Sequence, residues 1–193
     1  YFFNKEIFGL ALELFAMTPA DISEGNKVWT LLTCVFLHGS VMHLLGNMYF
    51  LYVVGDNLED VLGHKRFLIW YLVCGLIASL SSYLVSPTSA IPSVGASGAI
   101  AGLFGMYLMW FRHASLTFMI IIYQKKLSAA WFFAIWLIIN ISGALSGPDG
   151  IDYGAHIGGF VAGLLIGYFL KNKILEQNPI IRLLNQSEAQ LKR

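Results

Sequence analysis

Long apolar stretches separated by short polar connections dominate the chain, and their lengths predict membrane-spanning helices. A helix needs about 20 mostly apolar residues to cross the hydrocarbon core of a bilayer. Five stretches are candidates, at residues 41–62, 67–85, 97–111, 128–145 and 153–170. The third is short, because at about 1.5 Å per residue its helix covers roughly 23 Å of a core about 30 Å thick. We therefore expect one end of that helix to stop inside the membrane.

The remaining apolar segments are too short to span a bilayer. Residues 6–17 are interrupted by Glu13, which predicts a helix lying at the membrane interface. Residues 28–37 lead to Gly39, and this pattern predicts a re-entrant or partly buried segment. Residues 115–123 predict a short interfacial connection.

The chain reads as one membrane-embedded domain, an all-α polytopic bundle, because it contains neither internal repeats nor low-complexity linkers. Within residues 1–193 we expect an outer loop with an interfacial helix at 1–40, the spans at 41–170, and a polar cytoplasmic tail at 171–193. The chain opens on Tyr1 without an initiator methionine or a signal peptide, so we expect a first span to precede it.

Composition supports the membrane assignment and excludes other classes. With 57% hydrophobic and 12% charged residues, the chain has too few charges to cover a soluble globule. A net charge of +1 and the lack of an aromatic-rich basic run argue against nucleic-acid binding. Cys34 and Cys74 lie in different elements, so neither a disulfide framework nor a metal knuckle is predicted.

The placement of charges predicts an orientation. Basic residues at one set of helix ends comprise Lys65, Arg66, Arg112, Lys125, Lys126, Lys171 and Lys173. The opposite connections carry Asp21, Glu24, Asp149 and Asp152, with Lys27 as an exception. Because basic ends favour the cytoplasm, we expect a cytoplasmic C-terminus. We also expect a multi-pass protein of a prokaryotic plasma membrane. The Ser97 and His156 ends of their helices then lie toward the outer face.

Ser97 is the first candidate for chemistry. It follows a Gly-rich turn and opens the short third span, where unpaired amides and the positive end of the helix dipole gather. Such a position suits an oxygen that acquires negative charge during a reaction. The alternative is a structural serine that caps the helix or lets helices pack closely.

His156 lies in the first turn of the last span, inside a ladder of glycines. The ladder consists of Gly154, Gly158, Gly159, Gly163 and Gly167. Glycines four residues apart let a neighbouring helix approach closely, and Gly98 and Gly102 beside Ser97 form a matching face. If these faces meet, His156 reaches Ser97 and can act as its general base. The alternative is a histidine that bridges helices structurally.

His43 and Asn47 lie four residues apart on one face of the first span, and both can donate hydrogen bonds. With the Ser97 backbone N–H they could form an oxyanion hole, although hydrogen bonding between helices is an equal alternative. His38 precedes the helix, and we expect it to have a structural role near the same cavity. A metal site from the three histidines is disfavoured, because no intramembrane carboxylate or thiolate completes it.

Other polar residues have structural expectations. Glu59 lies far from Ser97 and is expected to tie helix ends together. Asn140 is expected to make a packing hydrogen bond. Asp149 and Asp152 lie in an outer connection near His156, so a triad stays open, but a Ser-His dyad is favoured.

These motifs together resemble the rhomboid intramembrane serine proteases. The resemblance covers nearly the whole chain through four motifs, His38…His43…Asn47, Gly55…Glu59…Gly63, Gly95-Ala96-Ser97-Gly98 and Gly154-Ala155-His156. It implies Ser97 as nucleophile and His156 as general base, with His43, Asn47 and the Ser97 N–H stabilising the oxyanion. It also implies a water-filled cavity open to the outer face, no cofactor, and cleavage of other membrane proteins in or beside their spanning helices.

Two positions depart from the pattern of the family. Many members carry an aromatic residue four positions after the nucleophile, against which the histidine stacks, whereas this chain has Ala101. Phe104 or Tyr107 are expected substitutes. Many members also carry Trp-Arg in the first loop, where this chain has Trp29-Thr30, which leaves the anchoring of that loop open.

The sequence therefore favours an intramembrane serine endopeptidase that acts on transmembrane substrates with small, helix-weakening residues near the outer face. The alternative is a catalytically silent relative that binds membrane helices in quality control. Such relatives typically lack the serine or the histidine, and both are present here. A proton-coupled transporter is disfavoured, because the paired mid-span acidic residues of a proton relay are missing.

Overall fold

The computed structural model describes residues 5–120, 123–147, 149–181 and 183, and it is predominantly helical. The helices are α1 (Lys5–Phe15), α2 (Pro19–Ser23), α3 (Thr30–Thr33), α4 (Val41–Leu62), α5 (His64–Val85), α6 (Ser97–Phe111), α7 (Ala129–Ser146) and α8 (Tyr153–Gln177), with a 3-10 turn at Cys34–Phe36. The predicted all-α polytopic fold is confirmed except for one β-hairpin, β1 (Ser115–Ile120) and β2 (Tyr123–Ser128).

Three of the described helices, α5, α7 and α8, are long and apolar enough to cross a membrane. α4 counts as a fourth span only together with residues Thr30–Phe36, from which it is bent by 93°. Its last turns carry Asp56, Glu59 and Asp60. α6 is apolar but has only 15 residues, which agrees with the short third span predicted from the sequence.

α6 lies at the centre of the bundle. Every residue from Gly98 to Tyr107 is buried, and so is Trp110. The indole Nε1 of Trp110 donates a hydrogen bond of 2.9 Å to the carbonyl oxygen of Gly167 on α8. A Cβ atom at Gly163 would overlap the carbonyl oxygen of Gly102. The backbones of α6 and α8 are therefore in direct contact, which only residues without a side chain permit.

The glycine ladder of α8 serves two neighbours, which differs from the single face expected. Gly159 and Gly163 pack against Gly98 and Gly102 of α6. Gly154 and Gly158 instead pack against α5, close to Ser82 and Ser81 respectively. The two stripes are offset by five residues, which places them about 140° apart around a helix with 3.6 residues per turn.

Residues 115–123 were expected to form a short interfacial connection, and the structure adds that Ser115–Ile120 of this stretch form the first strand of a hairpin. β1 pairs antiparallel with β2, with Leu116 opposite Leu127 and Phe118 opposite Lys125. Leu116 and Phe118 are buried while Thr117 is exposed. This alternation has the period of two that is typical of a half-buried strand, and it is visible in the sequence.

Hydrogen bonds to backbone carbonyls hold residues 5–40 together and link them to the bundle. The Trp29 indole donates to the carbonyl oxygen of Leu14 at 2.9 Å, and the Thr33 hydroxyl donates to that of Phe15 at 3.0 Å. Met17 and Ser93 exchange two backbone hydrogen bonds, which link this segment to the turn before Ser97. Trp29 therefore ties the segment before α3 to α1, with a threonine and not an arginine at the next position.

At the other end of the chain, α8 continues past the predicted end of the last span as far as Gln177. The predicted polar tail is thus helical at its start. Residue 182 and residues 184–193 of that tail lie outside the described residues.

Candidate active site

Ser97 opens α6 behind a turn that only glycine permits. Gly95 has φ +124°, and a Cβ atom there would lie only 2.8 Å from Nε2 of His43. The N–H of Gly95 donates to the carbonyl oxygen of Cys34 at 3.0 Å, which fixes the turn to the segment before α4. The Ser97 N–H belongs to the first turn of α6, whose amides have no acceptor within the helix.

The structure brings Ser97 and His156 together. His156 Nε2 lies 2.8 Å from Ser97 Oγ, although the residues are 59 positions apart in the chain. His156 is in the first turn of α8, and Ala155 beside it packs on Gly98 of α6. The close approach of the two helices therefore sets the distance between the hydroxyl and the imidazole.

The second imidazole nitrogen of His156 is held by Asn140 of α7, with 2.7 Å between Nδ1 and the side-chain oxygen. The Asn140 amide nitrogen donates to the carbonyl oxygen of Trp136 at 2.8 Å. The sequence predicted a packing hydrogen bond for Asn140 but not its partner. The spacing of polar residues on α7 does not reveal that partner, because the relevant histidine lies on another helix.

Two rings contact the imidazole of His156, and neither is the one expected. Trp136 lies over it at 5.9 Å between centroids with a 38° tilt, and Tyr153 meets it edge-on at 6.4 Å. The expectation that Phe104 or Tyr107 takes this place is wrong. Phe104 lies seven residues below Ser97, about 10 Å along the helix, and it packs edge-on against Trp136 at 5.3 Å.

Tyr107 lies deeper still, where its ring packs against Phe111 and Phe133. The aromatic contacts to His156 that Ala101 cannot make come from Trp136 of α7 and Tyr153 of α8.

His43 presents a defined nitrogen toward the turn before Ser97. Ser40 caps α4 by accepting the His43 backbone N–H at 3.0 Å, and the Gly39 N–H donates to Nδ1 of His43 at 3.4 Å. A neutral imidazole whose Nδ1 accepts carries its proton on Nε2. The Nε2 edge of the ring lies next to Gly95, so His43 can donate a hydrogen bond to a group in the cavity beside Ser97.

Asn47 is buried one turn further along α4. Its amide nitrogen donates to the carbonyl oxygen of His43 at 3.0 Å, which leaves a second N–H on the same nitrogen. It also lies near the Gly95 turn, since a Cβ atom at Gly95 would be 3.8 Å from Nδ2 of Asn47.

A cavity of about 1040 Å³ joins these groups. Its wall includes Ser97, His156, His43, Asn47 and Trp136, and it extends along the turn from Ser86 to Gly95. The cavity is mostly apolar with a few convergent polar groups, which is typical of a binding or catalytic site.

The two aspartates near His156 have other partners. Asp152 caps α8 by accepting the Ala155 N–H, and its other oxygen accepts the hydroxyls of Ser82 and Ser93 at 2.6 Å each. It thereby ties α5, the turn before Ser97 and α8 together. Asp149 accepts the hydroxyl of Tyr153 at 2.5 Å, and this bond lowers the pKa of the Asp149 carboxyl. Asp149 and Asp152 therefore bond to other groups, and the partner of His156 Nδ1 is Asn140.

His38 and Glu59 occupy supporting positions. The His38 ring meets His43 edge-on at 5.2 Å, and its buried Nε2 has no hydrogen-bond partner among the described residues. Glu59 lies at the opposite end of α4, where His64 Nδ1 is 2.6 Å from its carboxylate across the turn to α5. The described residues contain no group of three or more His, Cys, Asp or Glu that could hold a metal ion.

Comparison with known proteins gives one consistent family. Residues 25–173 match the Rhomboid domain family. RHOMBOID-like protein 5 of Arabidopsis thaliana is 37% identical over 158 residues, covering 82% of this chain and 48% of the relative. RHOMBOID-like protein 2 of the same plant is 40% identical over 145 residues, covering 75% and 43%.

The rhomboid protease GluP of Bacillus subtilis is 34% identical over 175 residues, covering 84% of this chain and 31% of the relative. The chain spans less than half the length of these three relatives. Because both a plant and a bacterium supply relatives, the expectation of a prokaryotic host has no support in these comparisons.

Proposed function

The chain belongs to the rhomboid family, and from that premise we propose that it is an intramembrane serine endopeptidase. It is an integral membrane protein with several spanning helices. Named rhomboid proteases among its relatives support protease activity at the level of the family. The observation that carries the proposal for this chain is the 2.8 Å contact between Ser97 Oγ and His156 Nε2 on the wall of a cavity.

In the proposed reaction Ser97 is the nucleophile and His156 the general base. As Ser97 Oγ bonds to the carbonyl carbon of the scissile peptide, its proton passes to His156 Nε2. His156 then gives this proton to the leaving amine as the C–N bond breaks, which leaves an acyl ester on Ser97. Water hydrolyses the ester through the same base, and the free serine is restored.

The negative charge on the carbonyl oxygen requires donors fixed in advance. We assign this role to His43 Nε2–H, the second N–H of the Asn47 side chain, and the Ser97 backbone N–H. The shared cavity and the closeness of His43 and Asn47 to the Gly95 turn support the assignment. Removing one donor of this kind typically costs about 10²- to 10³-fold in rate.

The proposed substrate is a transmembrane segment of another membrane protein. A cavity of about 1040 Å³ exceeds most small-molecule pockets, which measure about 300–1,000 Å³. The reacting carbonyl must leave its helical hydrogen bond to reach Ser97, so small, helix-weakening residues near the site favour cleavage.

We further propose that the cavity faces the outer side of the membrane and that α8 ends in the cytoplasm. Exposed Arg66, Arg112 and Lys173 lie at the ends opposite the cavity. The exceptional Lys27 on the cavity side is paired with Asp21 at 3.1 Å. Because basic residues near helix ends favour the cytoplasm, these ends support a cytoplasmic C-terminus, with Lys27 as an exception.

A fluorophosphonate probe tests the proposal, because it reacts only with activated serines. The full chain in detergent should be labelled, while Ser97→Ala and His156→Ala should not be. Ser115→Ala, which removes an exposed serine of β1, is the matched control and should be labelled like the wild type. A single-span model substrate with a small-residue segment should be cleaved by the same variants that are labelled.

Two outcomes would overturn the proposal. Labelling that persists in Ser97→Ala would show that another residue reacts. A chain that unfolds cooperatively on heating yet is not labelled would have no activated serine, which would favour the catalytically silent alternative.

A further inference from the structure

The most deeply buried residues of α7 lie along one face of the helix. Its buried residues are Ala129, Phe133 and Asn140. With the half-buried Trp136 they follow spacings of four, three and four residues, which is one face of a helix. Neighbouring residues such as Ile138 and Ile139 are 62% and 61% exposed and face the lipid. Asn140 is the polar member of an otherwise apolar stripe, and such a residue in a span needs a hydrogen-bonding reason.

Resting on the proposed function, we propose that Asn140 is a positioning residue for His156, which selects the imidazole tautomer able to accept the Ser97 proton. The orientation of the amide follows from the Trp136 carbonyl. A carbonyl oxygen can only accept, so the Asn140 side-chain nitrogen must point toward Trp136. The side-chain oxygen then faces His156 Nδ1.

This orientation fixes the proton on His156. The Asn140 oxygen can only accept, so Nδ1 of a neutral His156 carries the hydrogen. Nε2 is then unprotonated and accepts the hydrogen bond of the Ser97 hydroxyl. One main-chain carbonyl on α7 therefore sets the direction of three successive hydrogen bonds that end at the nucleophile.

The arrangement differs from a carboxylate-based triad in its electrostatics. A neutral amide orients the ring but adds no charge to stabilise the imidazolium that forms during the reaction. Losing it should therefore affect the fraction of correctly aligned imidazole more than the affinity for the probe. Misplacement of a reacting group by about 1 Å costs on the order of 10²-fold.

The test uses fluorophosphonate labelling of the full chain, with the maximal inactivation rate and the half-saturation concentration measured separately. Asn140→Leu keeps the side-chain shape but cannot accept a hydrogen bond. We expect its maximal rate to fall roughly 10- to 100-fold with little change in half-saturation. Asn140→Asp keeps an oxygen that can accept from Nδ1, so its maximal inactivation rate should be at least roughly tenfold higher than that of Asn140→Leu. Ile139→Ala, on the lipid face of α7, should match the wild type.

The tautomer is also measurable without altering Asn140. In ¹⁵N spectra of the histidine side chains, the signals that disappear in His156→Ala belong to His156. We expect a protonated Nδ1 and an unprotonated Nε2 at a pH where the ring is neutral. A protonated Nε2 would overturn the proposal.

The kinetic outcomes separate this proposal from the proposed function. If the wild type is labelled at Ser97 but Asn140→Leu reacts at the same rate, or Asn140→Asp is no better than Asn140→Leu, the positioning role fails alone. If the wild type is not labelled at Ser97, the proposed function fails and the positioning role fails with it.

Discussion

The two helices that meet His156 from opposite sides are attached to the bundle in different ways. α8 contacts α6 through glycines, backbone against backbone, with Gly163 lying on the carbonyl of Gly102. α7 contacts the same region through large side chains, with Phe133, Trp136 and Asn140 on one stripe and exposed apolar residues elsewhere. A backbone contact has no rotamers to adjust, whereas a side-chain contact can repack.

The two contacts contribute different features of the site. The α6–α8 contact sets the separation of Ser97 and His156, because both residues lie in the first turn of these helices. α7 supplies the ring over the imidazole and the acceptor for Nδ1. We therefore expect substitutions at the first contact to affect folding and substitutions at the second to affect reactivity.

The largest effect is expected for Gly163→Ala. The added methyl group would overlap the Gly102 carbonyl, and neither backbone can move without separating α6 from α8. Overpacking of this kind costs about 1–3 kcal/mol and at times more, and we expect the upper end of that range because the overlap is with the main chain. Thermal unfolding in detergent should show a lower midpoint, and fluorophosphonate labelling should fall in parallel.

Gly9→Ala is the matched control for this substitution. Gly9 lies within α1, and a Cβ atom there would have no atom within 4 Å. Alanine in an open helical position stabilises by up to about 1 kcal/mol relative to glycine. If Gly163→Ala unfolds at the wild-type temperature, the glycine contact does not hold α6 and α8 together.

A smaller effect, limited to reactivity, is expected for Trp136→Leu. Leucine keeps the apolar contact of α7 but removes the ring that lies over His156 and packs against Phe104. Aromatic pairs contribute about 0.5–1.5 kcal/mol beyond buried area, so we expect the labelling rate to fall by up to about tenfold. Trp136→Phe should retain most of the rate.

Trp131→Leu separates this effect from the general loss of a tryptophan on α7, because the Trp131 side chain is 69% exposed. Its labelling rate should equal that of the wild type. Equal rates for Trp136→Leu and Trp131→Leu would mean that α7 does not orient the imidazole through its ring.

The contrast between the α6–α8 contact and the α7 contact also explains which parts of the site can be predicted from the sequence. Glycine spacing is a local pattern, so the faces on α6 and α8 that bring Ser97 and His156 close can be identified from the residues themselves. The partition of the ladder between α5 and α6 could not be identified, because it depends on which neighbours surround α8.

The contributions of Trp136 and Asn140 were harder to predict for the same reason. Both lie in an apolar span, and the inward face of α7 is defined only once the other helices are in place. The β-hairpin, by contrast, had a local signal in the alternation of Leu116, Thr117 and Phe118. Its short length favoured a plain connection, and the pairing partner across the turn decided the outcome.

The smallest effect is expected for Tyr153→Phe, which tests whether the C-terminal end of α7 is held by ring packing or by a hydrogen bond. The Tyr153 ring lies across Gly143 of α7, and phenylalanine keeps that contact. Only the bond from the hydroxyl to Asp149 is lost. Labelling at neutral pH should therefore stay close to that of the wild type.

The hydrogen bond from Tyr153 lowers the pKa of the Asp149 carboxyl below its ordinary 3.8, and this fixes the sign of the pH dependence. A carboxyl with a lowered pKa in the folded state contributes stability above 3.8 that is lost as the pH falls through the lowered value. Unfolding midpoints measured at falling pH should thus decline more for the wild type than for Tyr153→Phe, while Tyr168→Phe, at a 65% exposed tyrosine of the same helix, should follow the wild type. A labelling rate reduced as strongly as in Trp136→Leu would instead show that this polar bond positions α7, which would contradict its attachment through packed side chains.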